Sequence, residues 1–330
     1  MHATIYQSLG AVSLAITLSI TSQVMAQDAC VSGTSTVATV GCFISDTDDV
    51  TFDLTGDIAP ITGMSGIRFI DSNSNIFNLN GNINSVANNT YGMFLSGSNS
   101  NAITITGDIS TYGYGIITTS GDSNNFTLNG NINISRDLAY GFFAINEDNV
   151  TFTLNGNINT GGGDTPGMML MTPTSSFNIM LNGNINVLGG SRSDSVNPRG
   201  IDIGSSQAGS TITNLGIITT TAEVGGAAAY DIYVRSGATL TTLNNRQSGL
   251  TYYGKIPTNY NAVINSTSDY GKIIFSNNSG NTSFGIYAGS VLESETTYAS
   301  VIDGLESSNI TAGNSGDHSY DGRTWAWTLE

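Results

Sequence analysis

Positive charge is scarce in this chain. Seven Arg and two Lys stand against 25 acids, the net charge is −16, and the first Lys is Lys255. No basic cluster exists, and nucleic acid or an anionic bilayer surface calls for the opposite sign, so both are excluded as partners. Charged residues of either sign make up only 10% of the chain, which leaves little for long salt-bridged helices. Two Cys are too few for a disulfide-dense scaffold, and with no His near them they do not make up a four-ligand zinc site. Apart from His2, the only His is His318, in the Gly- and Ser-rich stretch Gly313 to Gly322. Ser315, Asp317 and Ser319 flank it, but neighbours on such a segment do not build a catalytic triad. A Gly-x-Ser-x-Gly elbow, a Walker loop and zinc-ligand spacing are all missing.

Long hydrophobic runs are missing too, with one exception. Leu9 to Ile20 is apolar, and Val24-Met25-Ala26 before Gln27 fits a small-residue cleavage site. Residues 1–26 therefore read as a secretory signal peptide. The run is short and holds Ser and Thr, which disfavours an anchor, and the mature chain has no membrane span. Just after the cut stand Cys30 and Cys42. An even pair in an exported chain reads as a disulfide, here closing an N-terminal cap over residues 27–50.

What the chain has in abundance is Gly, 40 of 330 residues, with Asn, Ser and Thr, set in a repeat. Phe152-Thr-Leu-Asn-Gly-Asn-Ile158 recurs with central glycines at Gly56, Gly81, Gly107, Gly130, Gly156, Gly183 and Gly216. A period in this range marks stacked coils. Phe or Ile stands four residues before the Gly, Leu or Ile mostly two before (Asn214 is the exception), and Ile two after. Period two puts these columns on one strand face, pointing inward. The Gly itself falls on that inward face, where it is expected to mark a bend with no room for Cβ. Its flanking Asn columns, with Asp57 and Asp108 in two coils, are expected to form an amide ladder rather than a row of cation-binding carboxylates.

A second signal follows in each coil: Gly66, Gly92, Gly115, Gly141, Gly167 and Gly200, each before apolar residues. From these glycines to the next central Gly the distance is 15 or 16 residues, whereas the way back ranges from 8 to 17. One half of the coil is thus pinned by stacking and the other carries the loops. The longest, between Gly183 and Gly200, brings Arg192, Asp194 and Arg199 together and is the candidate recognition loop. Arg68 lies near its coil's second signal, with Phe94, Thr118, Ala144 and Leu170 read as its equivalents. The expected fold is all-β: a right-handed parallel β-helix (β-solenoid) of about eight coils, roughly 40 Å long at one sheet spacing per coil. The repeats fill residues 51–249, and a Tyr-rich C-terminal cap fills 250–330.

The signal peptide, the close Cys pair, the Ile-Thr-Asn-Leu-Gly-Ile-Ile218 type of repeat and the Tyr-rich closing block together resemble the passenger region of bacterial autotransporters, the type V secreted proteins. The closing block keeps Tyr-Tyr-Gly-Lys-Ile-Pro-Thr-Asn-Tyr260, Ser283-Phe-Gly-Ile-Tyr287 and Tyr320-Asp-Gly-Arg-Thr-Trp325. The resemblance implies an exported protein at the cell surface of a Gram-negative bacterium or outside it, or in the periplasm if no translocator is supplied. It implies an adhesin-like or scaffold role without enzymatic activity or cofactor, directed at a protein or glycan of a host or neighbouring cell. A translocating barrel of about twelve strands of ~10 residues is not found after Trp327, so the chain is expected to be a truncated or split autotransporter, or a passenger-like protein standing alone. The alternative is a carbohydrate-active β-helix, a polysaccharide lyase or hydrolase, which would need acids and a base sharing columns on successive coils.

Overall fold

The computed structural model describes residues 30, 33–36, 41–60, 63–85, 90–136, 139–161, 166–172, 175–188, 198–206, 208–221 and 228–330. Residues 1–26, read above as a signal peptide, lie outside them, as do Arg192 and Asp194. The described chain is a parallel β-solenoid of about nine turns, with no α-helix. Sheet A has 11 strands, from Cys42–Ser45 to Ile302–Asp303. Sheet B has 12, from Gly33–Thr36 to Ile310–Ala312, and sheet C has six, from Ile83–Ser85 to Ile218–Thr220. A repeat coil passes A, B and C in turn, and each strand pairs in parallel with its equivalents one coil away.

The repeated heptapeptide turns a corner instead of forming one strand. In one coil Val150–Leu154 belongs to sheet B and Ile158–Thr160 to sheet C. The inward columns are as expected: Phe126, Phe152 and Ile179 are register partners, as are Leu128, Leu154 and Leu181, and Ile132, Ile158 and Ile185. All nine are at most 1% exposed. Each such side chain contributes roughly 1.5–3 kcal/mol on burial. The central glycines, by contrast, are half-exposed at the corner (Gly216 alone of the seven is buried) and not on the inward face. A Cβ on Gly156 would collide with the carbonyl of Gly130, and one on Gly183 with that of Gly156. Close stacking of one corner on the next, not crowding of the core, demands Gly. The second column meets two obstacles, since a Cβ on Gly141 would strike the side chain of Ile158 from the same coil and the carbonyl of Gly167 in the next.

The amide ladder is present and continuous. Side-chain Oδ1 of Asp57, Asn82, Asp108, Asn131, Asn157 and Asn184 accepts the backbone N–H of the equivalent residue in the next coil, at 2.7–2.9 Å. Asp57 and Asp108 are therefore rungs, doing what Asn does elsewhere. In the coils that carry all three sheets the opposite corner, from A to B, has constant length: four or five residues separate the strands there, against two to eleven between C and the next A. It carries pairs of left-handed residues three apart, Asp71 and Ser74, Ser120 and Ser123, Asn146 and Asn149 (φ 46° to 58°). Asn75, Asn101 and Asn124 are buried in it, each accepting a backbone N–H from the preceding coil at 3.0 Å.

Sheets A and B run on through the Tyr-rich block, which is why the solenoid has more turns than expected. Sheet C stops at Ile218–Thr220. The coils then shorten, from 26 residues between Phe126 and Phe152 to 17 between Leu243 and Tyr260. Tyr252 and Tyr260 are fully buried there, with their hydroxyls on the carbonyls of Lys255 (2.7 Å) and Val301 (3.4 Å). An antiparallel hairpin, Ser315–Tyr320 with Arg323–Thr328, follows the stack, and Trp327 meets Phe284 edge-on at 5.3 Å. At the other end Cys30 is bonded to Cys42, the buried first residue of sheet A, with their Cα atoms 5.2 Å apart. Among the described residues no helix is long and apolar enough to cross a membrane.

Candidate functional site

Outward residues distinguish the three sheets. Sheet B presents Asn78, Thr104, Thr127 and Thr153 in register, and sheet C presents Asn84, Ser110, Asn133, Asn159 and Asn186. Both are polar, as a solvated face should be. Sheet A presents Phe43, Arg68, Phe94, Ile117, Phe143, Met169, Asp202, Tyr233 and Tyr253 in nine successive coils. A second row on the same sheet holds Tyr91, Tyr114 and Tyr140, with Arg199 two coils and Tyr230 three coils beyond. In the first row of this stripe Ile117, Met169 and Asp202 are buried and the other members are half-buried.

The register corrects one reading of the sequence. Arg68 is level with Phe94, Ile117, Phe143 and Met169, not with Thr118, Ala144 and Leu170, which are buried inside. A slip of one residue moves a strand position to the opposite face.

The stripe has two centres. At the first, the Arg68 guanidinium lies between two rings, 5.6 Å from the centroid of Phe43 and 5.7 Å from that of Phe94. Its Nε is buried without a hydrogen-bond partner, and among the described residues no carboxylate stands within ion-pair distance of it. The rings of Tyr91, Tyr114 and Tyr140 follow one another at 5.6 Å. Burial, then the neighbouring Tyr114 phenol, hold the Tyr91 and Tyr140 hydroxyls above the usual range, so they stay protonated donors.

At the second centre Asp202, fully buried, receives Arg199 Nη1 and both Nε (2.9 Å) and Nη2 (2.7 Å) of Arg235. Arg199 also lies over the Tyr233 ring at 3.9 Å, and Tyr233 stacks on Tyr253 at 4.8 Å. Of the three residues expected in the recognition loop, Arg199 is thus placed here, at the start of the strand Arg199–Ser205. Arg68 was noted in the sequence but set among the wrong equivalents, and the Tyr row was missed, although Gly-Met-Phe and Gly-Phe-Phe runs on alternate-facing strands carry the signal.

Two groups that chemistry could use, His318 and Glu147, are engaged otherwise. His318 is buried in the hairpin, with Nε2 2.8 Å from the carbonyl of Ser290; the Gly- and Ser-rich stretch around it forms a paired strand. Glu147 is fully buried, accepting from Gly121 N at 3.0 Å and from Asn124, and burial raises its carboxyl above the ordinary range. Among the described residues no group of three or more His, Cys, Asp or Glu is placed to hold a metal ion. No family model, no curated protein and no solved structure matches this chain.

Proposed function

We propose that this chain is an exported, non-enzymatic binding rod, a passenger-like surface or secreted protein with an adhesin-like role. The observation that carries the reading is the contrast between faces: polar ladders outside sheets B and C, and aromatic rings with arginines outside sheet A. Rings and Arg are the residues enriched at the centres of recognition surfaces, and a rigid stack presents them without loss of conformational freedom on binding. The disulfide at its N-terminal end suits an oxidising compartment.

The test is adhesion. The full chain, applied to intact cells, is expected to adhere, and F94S/Y114S/Y233S is expected to lose that adhesion while keeping its thermal unfolding. Adhesion unchanged in the triple variant would overturn the reading. Incubation with uronate polysaccharides, with and without calcium, addresses the lyase or hydrolase alternative: shortened chains would establish an enzyme.

A further inference from the structure

We infer that the outer groove of sheet C binds a neutral, extended oligosaccharide, with the side-chain amides of Asn133 and Asn159 as its hydrogen-bonding floor. The inference goes beyond the binding-rod reading and stands on a different face. A rod that meets a cell through sheet A turns sheet C elsewhere, so this glycan is one met in solution or in a matrix.

The groove has a volume of about 480 Å³ and runs along the outward column of the sheet. Along one side stand the residues that follow each strand: Tyr112, Ser135, Gly161 and Leu188. The two small residues leave a notch, closed at its ends by Tyr112 (38% exposed) and Leu188 (57% exposed). Those ends are three coils apart, ~14 Å at one sheet spacing per coil. Gly161 is exposed, and a Cβ there would meet only the Ile134 carbonyl, at 3.6 Å. The notch is open.

Its floor is half used. Nδ2 of Asn159 donates to Oδ1 of Asn133, and Nδ2 of Asn186 to Oδ1 of Asn159, both at 2.8 Å. Nδ2 of Asn133 donates to Ser110 Oγ at 3.3 Å. An amide has two N–H donors and two carbonyl lone pairs. The ladder takes one of each at Asn133 and Asn159, and among the described residues nothing takes the other. Each of these two coils therefore offers a donor beside an acceptor, repeated at ~4.8 Å. A hydroxyl, which donates and accepts at once, is the complement of that pair.

Charge and spacing select among polar ligands. None of the described residues lining the groove is charged, in a chain of net charge −16. An anionic glycan would enter an acidic protein's field with no cation to meet it, and a cation would find no carboxylate. The coil interval is near the length of one pyranose unit in an extended chain, whereas an extended peptide advances ~3.3 Å per residue and falls out of step. Strand addition is closed as well, because the sheet C strands are paired coil to coil. The Tyr112 ring gives the apolar face of a sugar a surface to pack on.

The experiment is equilibrium titration of the full chain with cellohexaose, hexagalacturonate and the peptide hexaserine. Cellohexaose is expected to bind in preference to both others, with an affinity that salt leaves unchanged. Asn159→Ala should weaken it about 3- to 10-fold, the loss expected for a neutral hydrogen bond. Gly161→Phe should abolish binding by filling the notch, while unfolding at the wild-type temperature, which separates a blocked groove from a damaged fold. No binding of cellohexaose, equal binding of hexagalacturonate or hexaserine, or a Gly161→Phe affinity equal to wild type would each overturn the proposal. If F94S/Y114S/Y233S adheres to cells like wild type yet cellohexaose binds, the binding rod falls and the groove stands. If adhesion is lost in that variant and cellohexaose never binds, the groove falls and the rod stands.

Discussion

The side-chain amide of Gln247 bonds both backbone polar groups of Ile218: Oε1 accepts from its N–H at 2.7 Å, and Nε2 donates to its carbonyl at 2.9 Å. Ile218 opens the last strand of sheet C, and the amide stands where the next strand would pair. One side chain thus ends a six-stranded sheet. Gln247 Nε2 also donates to Asp231 Oδ2 at 3.1 Å, and Asn214, which breaks the Leu column, reaches toward Asn245 and Gln247 at 3.3 and 3.4 Å. The polar substitutions gather where the third face disappears.

Gln247→Ala should therefore leave both Ile218 groups without partners, at about 1–3 kcal/mol for each buried group that water does not reach. Hydrogen exchange should quicken at Ile218 while the amides of Ile132 and Ile158 stay protected. Unchanged exchange at Ile218 would mean the amide is not the terminator.

Buried carboxylates set the pH dependence. Burial raises both Glu147 and Asp231 above their ordinary range, outweighing the hydrogen bonds that act in the other direction. A group raised in the folded state contributes its full stability below the unfolded value and loses it as pH rises through the folded value. Mild acid should thus raise the unfolding temperature. Glu147→Gln should flatten part of that slope, and adding Asp231→Asn should flatten more; an undiminished slope in the double variant would assign it to other groups.

At the glycine corner, Gly156→Ala should cost about 1–3 kcal/mol or more, because the collision is with the backbone of the coil beneath. Gly161→Ala, whose new methyl would meet only the Ile134 carbonyl at 3.6 Å, should be nearly neutral. Denaturant midpoints of the two variants compare the positions directly.

Reduction of Cys30–Cys42, 12 residues apart, should lower stability by about 3 kcal/mol in the chain-entropy model. The loss should begin at the N-terminal coils, read as faster exchange at Ile44 and Phe52 than at Leu154.

The inward columns were legible in the sequence because burial leaves few choices at Phe152, Leu154 and Ile158, and so was the amide ladder. A bend at Gly156 was expected, but not its place on the outside of a corner between two sheets, since period two runs across it unbroken and only pairing shows the two sheets. The face of sheet A was hidden for a related reason. In Gly92-Met-Phe-Leu95, Met93 and Leu95 are buried and Phe94 points out, yet all three are apolar. A run buried on both sides reads identically. The left-handed pairs at the A-to-B corner did have a signal, Asp, Ser, Asn or Gly three residues apart in a segment of constant length, as in Asp71 and Ser74.

The most direct test of the central claim is hydroxyl-radical footprinting of the full chain, free and seated on the cell surface to which it adheres. Phe94, Tyr91, Tyr114, Tyr140 and Tyr233 should become protected, while Tyr112 and Tyr320, exposed elsewhere on the molecule, should label as before. Protection centred on Tyr112, with the sheet A rings labelled equally in both states, would contradict the account.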